Sequence, residues 1–335
     1  MGVLGREDLF YYLNGGNDDE LYSLADSERK DSFGQEVYLR AIVEFSNVCN
    51  KKCNYCGLRA PNSNVNRYRM DVDSIVESAS LAAEAGARTI VLQSGDDFSY
   101  SLSHVEEIIL AIKESHDVAI TLSLGDRSVG EYEHWFNCGA DRCLLKLETT
   151  IPDVYEKVRC GEKFHERMEL LRSLQEIGYE VGSGVIVGLP EYTAEQLADD
   201  LLFLSELELD MIAAGPFIPH PDTPFSFVGS GDIDLSYRFT ALARLLNPFS
   251  NIPATSALDS FDSEGRKKGL QRGCNVIMPS VTPTAKRRDY NIYPGKNSVS
   301  VDVTDSISKA EELIRSLGFV PSASKGSSRR MNNVE

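Results

Sequence analysis

The chain has no apolar run approaching the roughly 18 residues that a membrane span requires, so none of it reads as a membrane segment. Its start, MGVLGREDLFYY, has neither the basic nor the apolar stretch of a secretory signal. Met1-Gly2 does not open a myristoylation motif, because Arg6 stands where Ser or Thr is needed. Positive charge is scarce: 34 Lys and Arg face 51 Asp and Glu, a formal net charge of −17. Such a surface repels phosphate backbones and argues against a nucleic-acid partner. The one basic-leaning stretch, SASKGSSRRMNNVE, is Ser-rich and reads as a frayed end. A disulfide framework is also missing, since the seven cysteines are odd in number and unevenly spread. In a chain this long they read as reduced thiols in a cytoplasm.

What is there suits a globular chain of 335 residues, 42% hydrophobic and 25% charged. Short β-branched runs alternate with helical patterns. VYLRAIVEF (37–45), TIVLQSG, VAITLSLG, RCLLKLET, VGSGVIVGLP, DMIAAGPF, NIPATSA and NVIMPS read as eight strands. Helical segments separate them, among them DVDSIVESASLAAEAGA, with Asp71 as N-cap and Gly86 near its end. Eight such cycles predict a complete (β/α)8 TIM-type barrel. An open doubly wound sheet is the alternative, but no GxGxxG follows the first strand. The expected division is a helical N-terminal preamble over 1–36, the barrel over 37–319 and a flexible tail over 320–335.

Directly after the first strand comes CNKKCNYCGLR, with Cys49, Cys53 and Cys56, and no fourth cysteine before Cys138. In a barrel this loop lies on the C-terminal face, where active sites sit. Closely spaced cysteines serve zinc or iron–sulfur clusters. Zinc would need a fourth ligand, with Cys138, Cys143, Cys160 and Cys274 the remaining thiols. A cubane held by three cysteines instead leaves one iron open to a small molecule.

Further motifs fall at the ends of later strands. QSGDD carries Ser94, Gly95 and Asp96 in a tight turn that brings backbone carbonyls and a carboxylate toward an ammonium group; it also fits an ordinary Gly-Asp turn. KLETT places Glu148 at the mouth, where a carboxylate can accept two ribose hydroxyls. In GVIVGLPE, Gly184, Ile186 and Gly188 read by themselves as close-packing positions.

The Cys-x3-Cys-x2-Cys spacing resembles that of radical S-adenosyl-L-methionine (SAM) enzymes, and GVIVGLPE matches their Gly-x-Ile-x-Gly-x-x-Glu motif. That motif resemblance implies an adenine ring lying against the strand. The segments VYLRAIVEFSNVCNKKCNYCGLR, RYRM, TIVLQSGDD, TLSLG, GPFIPHPDTP, NIPAT, NVIMPS and YPGK together resemble the [FeFe]-hydrogenase maturase family HydE, in a group with biotin synthase and methylornithine synthase. The resemblance spans about residues 20 to 320. It implies a [4Fe-4S] cluster on Cys49, Cys53 and Cys56, whose open iron takes the amino and carboxylate groups of SAM. One electron then yields a 5′-deoxyadenosyl radical.

The resemblance also implies roles for individual residues. Tyr55 packs near the adenine, Glu148 holds the ribose, and Arg167 pairs with the SAM carboxylate, a contact suited to guanidinium. Without the resemblance, Arg167 reads as a surface helix charge. Thr121, Ser123, Lys146, Thr255, Ser256, Met278, Tyr290 and Tyr293 are the implied substrate positions, although packing and strand-end capping explain them equally well. The implied substrate is small or organometallic, a cysteine-bound iron precursor of the hydrogenase diiron subcluster. The implied partners are a reductant such as ferredoxin or flavodoxin and other hydrogenase maturases.

Two departures stand out. Where the family usually reads Arg-His-Glu-Thr, this chain has Lys146-Leu147-Glu148-Thr149. Lysine keeps the charge but loses the two-point grip on a carboxylate. That leaves open a paralogue acting on another small sulfur- or amino-acid-type substrate, for example a methylornithine-synthase-like mutase. The C-terminal region YPGKNSVSVDVTDSISKAEEL also lacks the three cysteines with which many relatives hold a second cluster, so none can be built there.

Overall fold

The computed structural model describes residues 4–296 and 301–330. Residues 297–300, within the segment where relatives place a second cluster, lie outside the described residues, as do the first three and last five. Two helices, α1 (Arg6–Leu13) and α2 (Asp18–Phe33), precede the sheet. Asn17 caps α2 by accepting from the Glu20 amide at 3.2 Å.

Strands and helices then alternate: β1 (Glu36–Ser46), α3 (Val72–Glu84), β2 (Thr89–Ser94), α4 (Leu102–Ser115), β3 (Ala119–Ser123), α5 (Val129–Asn137), β4 (Arg142–Leu144), α6 (Pro152–Val158), α7 (Phe164–Ile177) and β5 (Glu180–Val187). There follow α8 (Ala194–Glu206), β6 (Met211–Pro216), α9 (Ile233–Leu246), β7 (Pro253–Ala254), α10 (Ser256–Asp259), α11 (Gly265–Leu270), β8 (Val276–Ile277), α12 (Thr284–Arg287), α13 (Val303–Ser316) and β9 (Val320–Pro321). Asp71 caps α3 as expected, accepting from the Ser74 amide at 2.7 Å.

Hydrogen-bonded neighbours run β6-β5-β4-β3-β2-β1-β8-β7, every pair parallel. The Met211–Asn251 bridge brings β6 beside β7. The (β/α)8 barrel expected from the alternation is therefore present and nearly closed. No helix among the described residues is long and apolar enough to cross a membrane.

Some strands are shorter than their apolar runs suggest. RCLLKLET reads as one strand, but β4 ends at Leu144. Beyond it, three residues (145–147) stand against two of β5 (183–184) before the Glu148–Val185 bridge resumes the pairing. The Ser183 hydroxyl accepts from the Leu147 amide at 3.2 Å, where a ladder carbonyl would stand. That extra residue is a bulge, and it re-aims the strand end. NIPATSA and NVIMPS keep two strand residues each, because Asn side chains take over the ladder. Asn275 Oδ1 accepts from the Ile252 amide at 2.8 Å.

The C-terminal segment corrects the expectation of a flexible tail as far as it is described. β9 pairs with β1, and Lys325 to Ser327 then cross the lower end of the barrel. Arg40 donates to the Gly326 carbonyl at 2.9 Å, Thr89 to the Lys325 carbonyl at 2.8 Å, and Arg142 to Ser327 Oγ at 3.0 Å. The Ser-rich composition is accurate, but the segment is held through two backbone carbonyls and one hydroxyl by Arg40, Thr89 and Arg142 of other strands.

Candidate active site

The cysteine loop leaves β1 where a bulge between Glu44 and Ser46 shifts its register against β2. It is pinned before any cofactor is considered. Asn47, fully buried, donates to the Asn66 and Asp289 carbonyls, both at 2.8 Å, and accepts from the Tyr68 amide at 2.7 Å. Arg67 donates to the carbonyls of Asn47 (2.6 Å), Leu58 (2.8 Å), Arg59 (2.8 Å) and Asn62 (3.2 Å), closing the loop on itself. Gly95 leans on this loop: a Cβ there would stand 2.2 Å from the Val48 carbonyl oxygen and 2.7 Å from Cys49 Cβ. Only glycine permits that approach. Ser94 donates to the Gly95 carbonyl at 2.7 Å, so QSGDD wraps over the first cysteine.

Cys53 is buried, and Cys49 and Cys56 are partly so. Burial raises all three thiols, Cys49 to about 11; for Cys56 the neighbouring Cys53 and Cys49 add to it. The sulfurs therefore sense one another. Three thiolates gathered in one loop suit a cluster, in which each binds a different metal atom.

Glu148 follows the β4 bulge with φ 67° and is buried. Tyr55, one residue before the third cysteine, donates to Glu148 Oε1 at 3.1 Å. Among the described residues, Oε2 faces only the Lys146 ammonium, 3.1 Å away. Burial works against the Glu148 charge, but Lys146 and then Arg159 outweigh it and hold the carboxyl below its ordinary range. An ionised, buried carboxylate with one cation on Oε2 keeps acceptor capacity for a ligand hydroxyl.

Arg167 is not the surface charge that its helix suggests. It is buried; Nε and Nη2 donate to the Lys146 carbonyl at 3.1 and 2.9 Å, and Nη1 pairs with Asp126. Asp126 also meets Lys51 Nζ at 2.9 Å and Arg159 at 3.2 Å, so one carboxylate gathers three cations beside the cysteine loop. Burial opposes its charge, yet Arg167, Arg159 and Lys51 hold it far below the carboxylate range. Asp96 accepts from the Asp126 amide at 2.8 Å, and its own carboxyl is raised by burial and then by the Asp126 charge. Gly125, at φ 78°, makes room, since a Cβ would fall 2.4 Å from Asp96 Oδ1. Sequence reading missed Asp126, Arg159 and Lys51. The available signal was SLGDR, an acid at the end of the third strand, as QSGDD ends the second.

The remaining expected positions divide. Gly184 and Gly188 serve backbone contact: a Cβ would stand 1.8 Å from the Ala213 oxygen and 2.8 Å from Gly231 Cα respectively. Ile186 is half-buried on the same strand, its amide donating to the Glu148 carbonyl at 2.9 Å. Ser256 and Tyr293 share a hydroxyl–hydroxyl bond of 2.7 Å. Tyr290 is buried and near enough to Cys49 and Cys56 for their charges to act on it. Ser123 accepts from Gln93 at 3.2 Å, and Thr255 donates to the Ala214 carbonyl at 3.3 Å. Thr121 lies lower, beside Arg40 and Arg142 on a void of about 10 Å³, with its hydroxyl unpartnered. Met278 packs on the Phe33–Tyr38–Val276 cluster.

One further pair escaped sequence reading. Glu44, in the middle of an apolar strand, is fully buried and meets Lys296 Nζ at 2.5 Å and Ser280 Oγ at 2.5 Å, with Thr282 also donating. Burial raises its carboxyl, but Lys296 and the two hydroxyls bring it below the ordinary value.

Comparison with known proteins adds sequence-wide support. A model of the Radical SAM superfamily matches residues 43–204. The chain is 47% identical over 316 residues to the [FeFe] hydrogenase maturase subunit HydE of Thermotoga maritima, covering 94% of this chain and 90% of that one. It is 27% identical over 270 residues to 3-methylornithine synthase of Methanosarcina barkeri, covering 80% and 76%. The crystal structure of methylornithine synthase superposes with a TM-score of 0.84 at 25% identity, over 95% of this chain and 94% of that one. The maturase HydG from Carboxydothermus hydrogenoformans gives 0.79 at 21%, over 95% and 76%, a likeness of fold alone.

Proposed function

The chain belongs to the [FeFe]-hydrogenase maturase HydE family of radical SAM enzymes, and from that membership we propose that it works on a cysteine-bound iron precursor of the hydrogenase diiron subcluster. It is a radical SAM enzyme, and its cofactors are a [4Fe-4S] cluster and SAM. With both bound, the site supplies a 5′-deoxyadenosyl radical.

The remaining work belongs to the chain. Cys49, Cys53 and Cys56 hold the cluster, in a loop already fixed by Arg67 and Asn47. Glu148 accepts the ribose hydroxyls, its carboxylate aimed by the bulge while Tyr55 holds Oε1. Arg167 takes the SAM carboxylate, exchanging part of its hold on Asp126 for the ligand. Tyr290, Tyr293 and the Glu44–Lys296 pair exclude bulk water above the barrel interior. A reducing protein such as ferredoxin or flavodoxin is the proposed electron source, and other hydrogenase maturases are proposed partners.

The observation that carries this reading is the meeting of three mutually interacting thiols in one pinned loop with a buried carboxylate that Tyr55 and Lys146 hold in place. A second reading, a different small sulfur- or amino-acid-type substrate, rests on Lys146, whose ammonium is drawn to Glu148. Anaerobic reconstitution followed by assay of 5′-deoxyadenosine tests the chemistry. Assay of the diiron precursor with the intact protein and with Lys146→Arg then separates the two substrates. Turnover by the intact protein supports the first reading; turnover only after the substitution favours the second.

A further inference from the structure

Away from the barrel mouth, the outer helical layer carries a mixed set of donors. Glu106 on α4, His134 on α5 and Cys138, which caps α5, bring a carboxylate oxygen, an imidazole nitrogen and a thiol within 4.8 Å of one another. His134 and Cys138 are four residues apart, so one helix face presents both. The helix is intact there, with the Cys138 amide donating to the His134 carbonyl at 3.1 Å. Glu106 reaches across from α4, its Oε2 lying 3.0 Å from His134 Nε2. Burial and then the Glu106 charge raise the Cys138 thiol, which marks the carboxylate as its near neighbour.

The two helices are fixed against each other at this level. Trp135, adjacent to His134, is fully buried and donates to the Leu102 carbonyl at 3.0 Å. The donors thus stand on rigid elements rather than on a loop. The side chains of Glu106 and His134 are 35% and 39% exposed, which leaves a path for an ion and room for a water as fourth ligand.

We propose that Glu106, His134 and Cys138 form a zinc site that clasps α4 to α5, separate from the cysteine loop. Zinc bonds of about 2.0–2.3 Å in a tetrahedron put donor atoms about 3.3–3.8 Å apart, inside the observed spread. A thiolate, an imidazole and a carboxylate suit zinc, whereas calcium and magnesium take oxygen ligands. On binding, the Cys138 thiol releases its proton to solvent and the imidazole binds neutral. The thiolate and carboxylate together balance the two charges of the ion, so the occupied site is neutral. The His134–Glu106 hydrogen bond is replaced by two bonds to metal.

The test uses reconstituted holoprotein dialysed against buffered zinc, with zinc and iron counted on the same sample and X-ray absorption recorded at the zinc edge. We expect one zinc per chain with a sulfur neighbour, a higher Tm when zinc is added, and loss of both in Cys138→Ser and His134→Ala. Iron, sulfide and 5′-deoxyadenosine formation stay unchanged in both variants. No bound zinc, zinc retained by both variants, or zinc gained only as iron is lost would overturn the proposal.

Discussion

Glu148 shows how much of the site depends on one carboxylate. One of its oxygens is held by Tyr55 and the other faces the Lys146 ammonium at 3.1 Å. Replacing it with Gln removes charge-assisted bonds of about 1.5–3 kcal/mol, which corresponds to about 10- to 100-fold weaker SAM binding. Equilibrium dialysis of SAM checks this, with iron content as the control; lost iron instead would place Glu148 in the cluster's support. Asp126 is the counterpart among the cations. Asp126→Asn leaves Lys51, Arg159 and Arg167 facing one another, at a cost near the low end of about 3–5 kcal/mol because Asp126 is 25% exposed. Its folded carboxyl is depressed, so its contribution is complete above the unfolded pKa near 4 and is lost as pH falls below that. In a melting series from pH 7 to pH 3 the gap between the two proteins should narrow below about pH 4 without closing, because the folded carboxyl titrates well below that window. Asp126 was not legible in the sequence because its three partners lie on three other segments, and only the fold brings them together.

At the level of elements, the strands were legible because β-branched runs and helical patterns alternate without interruption. The break in β4 was not, because a serine hydroxyl on the neighbouring strand replaces the missing carbonyl. The C-terminal segment was misread for a related reason: composition reports side chains, and this segment is held mainly by its carbonyls. Gly326 sits at φ 65°, and a Cβ would stand 2.7 Å from the Tyr38 ring. Gly326→Ala should therefore cost about 1–3 kcal/mol from backbone strain alone, seen as a lower Tm with an intact cluster. On α8, Asp200 accepts from the Thr150 amide at 2.8 Å and from Tyr192 at 2.7 Å, tying the segment after Glu148 to the helix. Burial raises its carboxyl to about 6. A raised acid favours the folded state when protonated, so this group's contribution falls as pH rises from about 4 to 6, by about 3 kcal/mol. Asp200→Asn should consequently be less harmful at pH 7.5 than at pH 5, as denaturant midpoints at the two values will show.

For the whole molecule, the barrel fixes a loop with three thiols at one end and draws its own C-terminal segment across the other. A radical made between them is enclosed on both sides. The cysteine spacing and family segments made this architecture legible from the start. The ionic contacts that steady the site, Asp126 with its three cations and Glu44 with Lys296, emerged only from the fold. The proposed function places the cysteine loop, Glu148 and Arg167 in one SAM-cleaving site. Its most direct test is the EPR spectrum of the reduced, reconstituted protein with and without SAM, paired with assay of 5′-deoxyadenosine and a Cys53→Ala control. The expected result is a cluster signal that shifts when SAM is added, with nucleoside formed by the intact protein and not by the variant. A signal indifferent to SAM, or nucleoside formed equally by Cys53→Ala, would contradict it.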